Sequence, residues 1–180
     1  MHFTKNLALF IGAVAGFTIP QGQPDGVYAV SSDAKGVDVH TFLSAPVNST
    51  EALSISARAA KFPRRGLAAR QTQEIGCQHY ELNHVNTDEA VEALKRQCGP
   101  GAINSGYNFY SISGSTVAYI CNMGNTAVIC ESNGVGEVFG RITGVCGRYG
   151  AGWETRWADR NTGATTGYED RSAKFCGRGA

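Results

Sequence analysis

The chain has 180 residues, enough for one or two small domains, and a formal net charge of +1. Residues 1–70 hold seven basic and four acidic residues, a net of +3, which leaves −2 for residues 71–180. A slightly acidic second part argues against a nucleic acid or an anionic membrane as the partner.

The first fifteen residues have the pattern of a secretory signal peptide. Lys5 provides a positive charge, residues 7–17 form an apolar run, and Ala13-Val14-Ala15 is a small-x-small cleavage site. The run is much shorter than the roughly 20 residues that span a hydrocarbon core. We therefore predict a protein without a membrane span, secreted to the extracellular space after removal of residues 1–15.

A basic segment, residues 61–70, separates two unlike parts of the chain. All six cysteines follow it: Cys77, Cys98, Cys121, Cys130, Cys146 and Cys176. Within it, Arg64-Arg65 is the dibasic pair that a kexin-type protease cuts after, and Pro63 keeps the segment extended. The segregated cysteines favour a processing site over an ordinary basic linker between two domains.

Residues 16–70 are predicted to be a propeptide, largely disordered, because they are rich in Ser and Ala and poor in large apolar residues. One short alternating strand is expected within residues 17–30. Asn48 is in the chain's Asn-x-Ser/Thr sequon, so any N-glycan would leave with this part. Further trimming to Arg70 would make residues 71–180 the mature cysteine-rich domain.

The cysteines predict three disulfides, since an even number in a small exported domain is typical of an oxidising compartment. Six cysteines permit fifteen pairings, so the sequence does not determine the connectivity. Positions along the chain favour three pairs: Cys121 with Cys130, Cys98 with Cys146, and Cys77 with Cys176.

Two helices are predicted. The first runs to Cys98, with Asn86 and Glu89 as a capping box and apolar residues at helical spacing. The second covers residues 133–146 and needs packing or a disulfide, because glycines in a helix interior each cost about 1 kcal/mol.

Short β-rich runs surround these helices. A hairpin is predicted around the Ser113-Gly114 turn, and residues 152–157 alternate like an edge strand. Further short strands are predicted at residues 76–82, 126–130, 167–169 and 174–176. The order indicates an α+β fold, an antiparallel sheet with two helices packed on one face in a disulfide-stapled sandwich.

The sequence gives little sign of catalysis. His79 and His84, with Glu81 between them, are candidates for acid-base work or a metal, but they lack the helical spacing of a strong motif. A fungal ribonuclease would need a histidine on the strands after the helix, and none follows His84. No Gly-x-Ser-x-Gly elbow or phosphate loop is present. We therefore expect no catalytic residue, no metal site and no cofactor.

The candidate binding surface is a glycine-flanked segment rich in the residue types that dominate binding hot spots. It comprises Arg148, Tyr149, Trp153, Arg156, Trp157 and Arg160. Trp153 and Trp157 are four apart and so share one strand face. The alternative is that one tryptophan covers the core while the arginines are solvated.

Four segments of the chain form a recognisable set: residues 19–28 (IPQGQPDGVY), the Arg64-Arg65 pair, residues 117–122 (VAYICN) and residues 146–153 (CGRYGAGW). Through these segments the chain resembles small secreted cysteine-rich proteins of filamentous fungi, which are candidate effectors. A fainter similarity, around Ala118-Tyr119 and Cys146-Gly147, is to the virally encoded killer toxins of smut fungi, although this chain has fewer cysteines.

The resemblance implies a virulence or competition protein that binds a host or competitor protein or a cell-surface component. We expect it to be a monomer. We expect binding rather than catalysis, with the candidate binding surface making the contact. The alternatives are a killer-toxin-like antimicrobial protein and a small secreted hydrolase.

Overall fold

The structure, a computed structural model, describes residues 16–45 and 72–176. It is an α+β fold dominated by antiparallel sheet. The elements in chain order are β1 (Phe17–Thr18), β2 (Gly26–Ser32), β3 (Asp38–Ser44), β4 (Thr72–Glu81), α1 (His84–Cys98), β5 (Pro100–Ile103), β6 (Tyr107–Ser113), β7 (Thr116–Asn122), β8 (Val128–Glu131), α2 (Ser132–Cys146), β9 (Gly150–Trp157), β10 (Gly163–Asp170) and β11 (Lys174–Phe175). The predicted signal peptide, Asn48, Arg64, Arg65 and Arg70 lie outside the described residues.

Seven strands form the main sheet, in the order β3-β2-β6-β7-β10-β9-β4. Two-stranded sheets join β1 to β11 and β5 to β8. The predicted hairpin is present as β6 and β7, with Gly114 in the turn at a φ of 51°. The strand predicted at residues 152–157 is not an edge, because β9 lies between β10 and β4.

Apolar side chains form two buried clusters. The first joins both helices to the sheet, through residues such as Leu94 of α1, Phe139 of α2, and Ala118 and Tyr168 of β7 and β10. The second joins β1, β2, β6, β7 and β11 and consists of Phe17, Tyr28, Val30, Tyr110, Ile112, Val117, Tyr119, Cys121, Phe175 and Cys176. Side chains alternate across a strand, so β6 and β7 contribute to both clusters.

Helix α1 begins earlier than the capping box predicts. Its N-cap is Asn83, whose side-chain oxygen accepts a hydrogen bond of 3.0 Å from the backbone N–H of Asn86. Glu89 instead accepts a hydrogen bond of 2.7 Å from the hydroxyl of Ser113. The predicted cap is therefore wrong by three residues, because Glu89 is used in a tertiary contact.

All six cysteines form disulfides, so the predicted number of three is confirmed. The favoured pairings are all wrong: the bonds are Cys77–Cys146, Cys98–Cys130 and Cys121–Cys176. The sheet order explains the difference. Pairing of β4 with β9 brings the first cysteine to the end of α2, and pairing of β5 with β8 brings the end of α1 to Cys130.

The segment predicted to be a largely disordered propeptide differs from that expectation over its described part. Residues 17–44 supply three strands, and Val27, Tyr28 and Val30 are each no more than 3% exposed. Few large apolar residues suffice here, because Phe17, Tyr28 and Val30 pack in one cluster with residues of β6, β7 and β11. Processing at Arg64-Arg65 stays a prediction.

Candidate functional site

The candidate site is built around the tight loop between α2 and β9. Cys146 ends α2 and is bonded to Cys77 of β4, which fixes the start of the loop. The N–H of Gly150 donates to the carbonyl of Gly147 at 3.1 Å, which closes the turn. The carbonyl of Tyr149 accepts a hydrogen bond of 2.9 Å from the N–H of Leu82. The start of the loop is therefore held by β4, and Tyr149 is held by the segment after β4.

Tyr149 has an unusual backbone conformation. Its φ is 62°, in the left-handed region that bulky residues rarely adopt. Such conformations cost of order 1–3 kcal/mol and persist where the surroundings enforce them, often at functional sites. This backbone turns the tyrosine ring towards the first turn of α1.

The Tyr149 side chain contacts three polar residues. Its ring stacks on that of His84, with centroids 4.0 Å apart and planes 14° from parallel. Its hydroxyl donates to Oδ2 of Asp88 at 3.0 Å and accepts from Nη2 of Arg148 at 3.2 Å. The Arg148 guanidinium carbon is also 5.0 Å from the ring centroid. We call these four residues, His84, Asp88, Arg148 and Tyr149, the Tyr149 cluster.

His84 also pairs with Glu81. The His84 Nε2 atom lies 2.5 Å from Oε1 of Glu81, and both side chains are more than half exposed. A histidine and a carboxylate in this arrangement can hold and move a proton. His79 is not part of the pair; it lies in β4 with a φ of 57°.

A cavity of about 590 Å³ adjoins the Tyr149 cluster. Its volume is within the range of sites that hold small ligands or anchoring side chains. Phe139 of α2 and Tyr168 of β10 line it and stack with centroids 5.4 Å apart. The Tyr168 hydroxyl is 3.0 Å from that of Thr143, and burial raises the pKa of Tyr168.

Charges of both signs surround this aromatic lining. The lining includes three acidic residues, Asp88, Glu89 and Glu92, and three basic residues, Lys95, Arg96 and Arg148. Lys95 is paired with Glu92 at 2.9 Å, and Arg96 with the same carboxylate at 3.5 Å. The cavity therefore favours neither a strongly anionic nor a strongly cationic ligand.

The six residues of the candidate binding surface do not lie together. Arg148 and Tyr149 border the large cavity. Trp153 packs against Gly76 and Gly167 beside the second cluster, and Trp157 lies over Gly163. These tryptophans share a strand face, by alternation along β9.

The other two arginines differ in their surroundings. By alternation along β9, Arg156 lies on the strand face opposite to the two tryptophans. Its Nε is 3.4 Å from Oε1 of Glu154. It lines a second, smaller cavity of about 210 Å³. Arg160 is exposed in the β9–β10 connection.

Sequence reasoning selected part of the Tyr149 cluster. Arg148 and Tyr149 were identified by residue type, and His84 was considered as a candidate for acid-base work or a metal site. Asp88 falls between the two residues of the predicted capping box, and Phe139 falls within the predicted second helix. No local signal places Phe139 beside Tyr168, because the contact depends on how α2 lies on the sheet.

The described residues contain no group of three histidine, cysteine or carboxylate side chains arranged to hold a metal ion. Within the same ranges, no helix combines the length and apolar character needed to cross a membrane. No protein-family model, curated protein or solved structure matches the chain.

Proposed function

We propose that the protein is a secreted, disulfide-stabilised interaction protein that binds a host or competing-microbe component through the Tyr149 cluster and its cavity. The observation that carries the proposal is the conformation of Tyr149, held at a φ of 62° between His84, Asp88 and Arg148. A tyrosine and an arginine fixed beside a cavity have the composition and rigidity of a binding hot spot. Three disulfides in a small protein are typical of the extracellular space.

The arrangement of the helices supports this surface. We propose that both helices cover one face of the sheet, as in a sandwich whose other face is covered by the β1–β11 pair. Ala118 and Tyr168 are direct partners in the β7–β10 register, and both belong to the cluster that includes the helices. The cavity then opens between α1 and α2, where a side chain from a partner can reach Phe139.

The cavity chemistry suggests the class of partner. An aromatic lining with balanced charges around it suits a protein loop that inserts one apolar side chain and brings charges of both signs. A nucleic acid would instead favour an excess of positive charge. We therefore propose a protein or peptide epitope as the target.

The test compares binding of labelled protein variants to host and competing microbial cells. Arg148→Ala is expected to weaken binding at least tenfold, because it removes an exposed cation beside the cavity. Arg160→Ala is the matched control, an exposed arginine far along the same segment, and it should bind like the unchanged protein. Equal binding by all three proteins would overturn the proposed site, as would an equal loss in both variants.

The antimicrobial alternative is separated by a different assay. Growth inhibition of other fungi by the purified protein would support a killer-toxin-like role. Loss of that inhibition in Arg148→Ala would place the activity at the same cluster.

A second candidate function is a small secreted hydrolase. It is favoured by the 2.5 Å contact between His84 and Glu81 and by Arg148, which is joined to His84 through Tyr149. Acid-base catalysis with an arginine for developing charge uses these residue types. Cleavage of RNA or polysaccharide that is lost in both His84→Ala and Glu81→Gln would support it, and no cleavage by the folded protein would remove it.

A further inference from the structure

The described part of the predicted propeptide is built into the fold at three places. The first is strand pairing: β2 lies between β3 and β6, with Tyr28 opposite Tyr110 in the antiparallel register. The two rings stack with centroids 5.1 Å apart. Val27 and Val30 of the same strand are each 1% exposed.

The second place is the short pair of β1 with β11. Phe17 is opposite Phe175 in the register and is 2% exposed. Its ring is 5.6 Å from that of Phe175 and 5.4 Å from that of Tyr110. This contact lies beside the Cys121–Cys176 disulfide in the second cluster.

The third place is the turn before β2. Oδ2 of Asp25 accepts a hydrogen bond of 2.8 Å from the N–H of Gly114, and Oδ1 lies 3.7 Å from Nη1 of Arg171. Arg171 also donates to the carbonyls of Gly114 and Gln23. Residues 20–28 are therefore attached to the β6–β7 turn and to the end of β10.

Loss of residues 16–45 would expose apolar side chains and a strand edge of the remaining sheet. Tyr110, Ile112 and Val117 are each no more than 1% exposed and would lose their cover. The backbone of β6 would also become an unpaired sheet edge, which is a template for aggregation. No covalent bond would prevent the loss, because the chain has no cysteine before Cys77.

We propose that cleavage at Arg64-Arg65 yields a two-chain protein, in which a light chain containing residues 16–45 stays bound to the cysteine-rich heavy chain without a covalent link. The segment is a structural subunit of the mature protein, and its partner is the surface formed by β6, β7 and β11. This inference rests on the proposed processing for its biological occurrence, whereas the retention itself can be tested without it.

The experiment uses the secreted full chain, cut in vitro by a dibasic-specific endoprotease, or at a protease site inserted after Arg65 if the natural pair resists cleavage. Native mass spectrometry and size-exclusion chromatography then measure the cut material at neutral pH. We expect both chains to elute together at their summed mass, and to separate in denaturant without a reductant. Elution of the heavy chain alone, or its precipitation after release of the light chain, would overturn the proposal.

A pair of variants tests whether the observed contacts cause the retention. Tyr28→Ala removes the ring stacked on Tyr110 and should speed release of the light chain at least tenfold. Val37→Ala is the control, since Val37 is 59% exposed near the β2–β3 turn, and its release rate should not change. Equal release rates for the two variants would contradict the proposed interface.

Failure of the proposed processing gives a different result from failure of the retention. If the secreted protein is never cut in its native host but the cut chains stay together in vitro, the processing is wrong and the interface stands. If it is cut and the light chain is lost, the interface is wrong and the processing stands.

Discussion

The carboxylate of Asp25 accepts a hydrogen bond of 2.8 Å from the backbone N–H of Gly114, 89 residues further along the chain. The acceptor belongs to the segment predicted to be removed, and the donor lies in the turn between two central strands. This contact connects the two parts of the chain that the basic segment separates.

Asp25→Ala is expected to lower the free energy of unfolding of the uncut protein by about 1 kcal/mol, since the amide of Gly114 loses a charged acceptor. Urea denaturation measures the change. Lys35→Ala, at an exposed position in the β2–β3 turn, is the control and should change stability by less than about 0.5 kcal/mol. Equal effects of the two substitutions would show that the Asp25 contact contributes nothing.

The buried carboxyl group of Glu169 should give the free energy of unfolding an unusual dependence on pH. Burial raises the pKa of this carboxyl above its ordinary value of 4.5, although the hydroxyl of Tyr119 donates to it at 2.9 Å. Folding then favours the protonated form, so this group's contribution is present at low pH and is lost as pH rises from 4.5 through the folded pKa.

Glu169→Gln removes this effect, because an amide keeps an acceptor for Tyr119 without a charge. The variant should have a higher Tm than the unchanged protein at pH 7, and the difference should shrink as the pH falls towards 4. Thermal denaturation across this range measures it. A variant less stable at pH 7 would mean that the charged carboxylate is stabilising.

The buried carboxylate of Glu154 allows a matched comparison of two arginines. Arg141 donates to both of its oxygens, at 2.7 and 2.8 Å, whereas Arg156 reaches one of them at 3.4 Å. The Glu154 side chain is 1% exposed, so losing its main partner leaves a buried charge poorly compensated.

We expect Arg141→Ala to cost about 3 kcal/mol of stability and Arg156→Ala less than about 1 kcal/mol. Chemical denaturation of both variants gives the two values. A larger loss in Arg156→Ala would contradict the assignment of Arg141 as the main partner.

The Cys77–Cys146 disulfide closes the longest loop of the three, with a separation of 69 residues. In the chain-entropy account, a loop of this length contributes about 4 kcal/mol. Replacing both cysteines with alanine should lower the midpoint of denaturation by a corresponding amount. It should also weaken target binding, because the loop carrying Tyr149 starts at Cys146. A double variant that loses stability but binds normally would show that the disulfide does not position the loop.

The sequence predicted the elements whose signals are local. The Ser113-Gly114 turn is flanked by β-rich runs, and residues 133–146 repeat apolar side chains at helical spacing; both correspond to observed elements. The N-cap was misplaced because Asn83 and Asn86 both suit the position, and the partner of Glu89 lies in a distant turn.

Features that depend on strand order were not predictable in the same way. Cys77 meets Cys146 because β4 pairs with β9, and nothing near either cysteine encodes that pairing. The same reason explains the first part of the chain. The first part of the chain has few large apolar residues. The burial of two of them, Phe17 and Tyr28, depends on aromatic residues of β6 and β11.

The candidate site shows the same division. Arg148 and Tyr149 were recognisable from residue type beside a cysteine and glycines. Their contacts with His84 and Asp88 required knowledge of where α1 begins and of the φ at Tyr149. Trp153 and Arg156 were grouped with them because they are close in sequence, yet alternation along β9 directs them to opposite faces.

The most direct test of the central claim is the intact mass of the secreted protein, measured after thiol alkylation in denaturant, with and without prior reduction. We predict no alkylated cysteine without reductant, six after reduction, and a heavy chain that begins at Gly66 or Gln71. Alkylation at several cysteines without reductant would contradict it, as would a single chain still joining residues 20–60 to the cysteine-rich part.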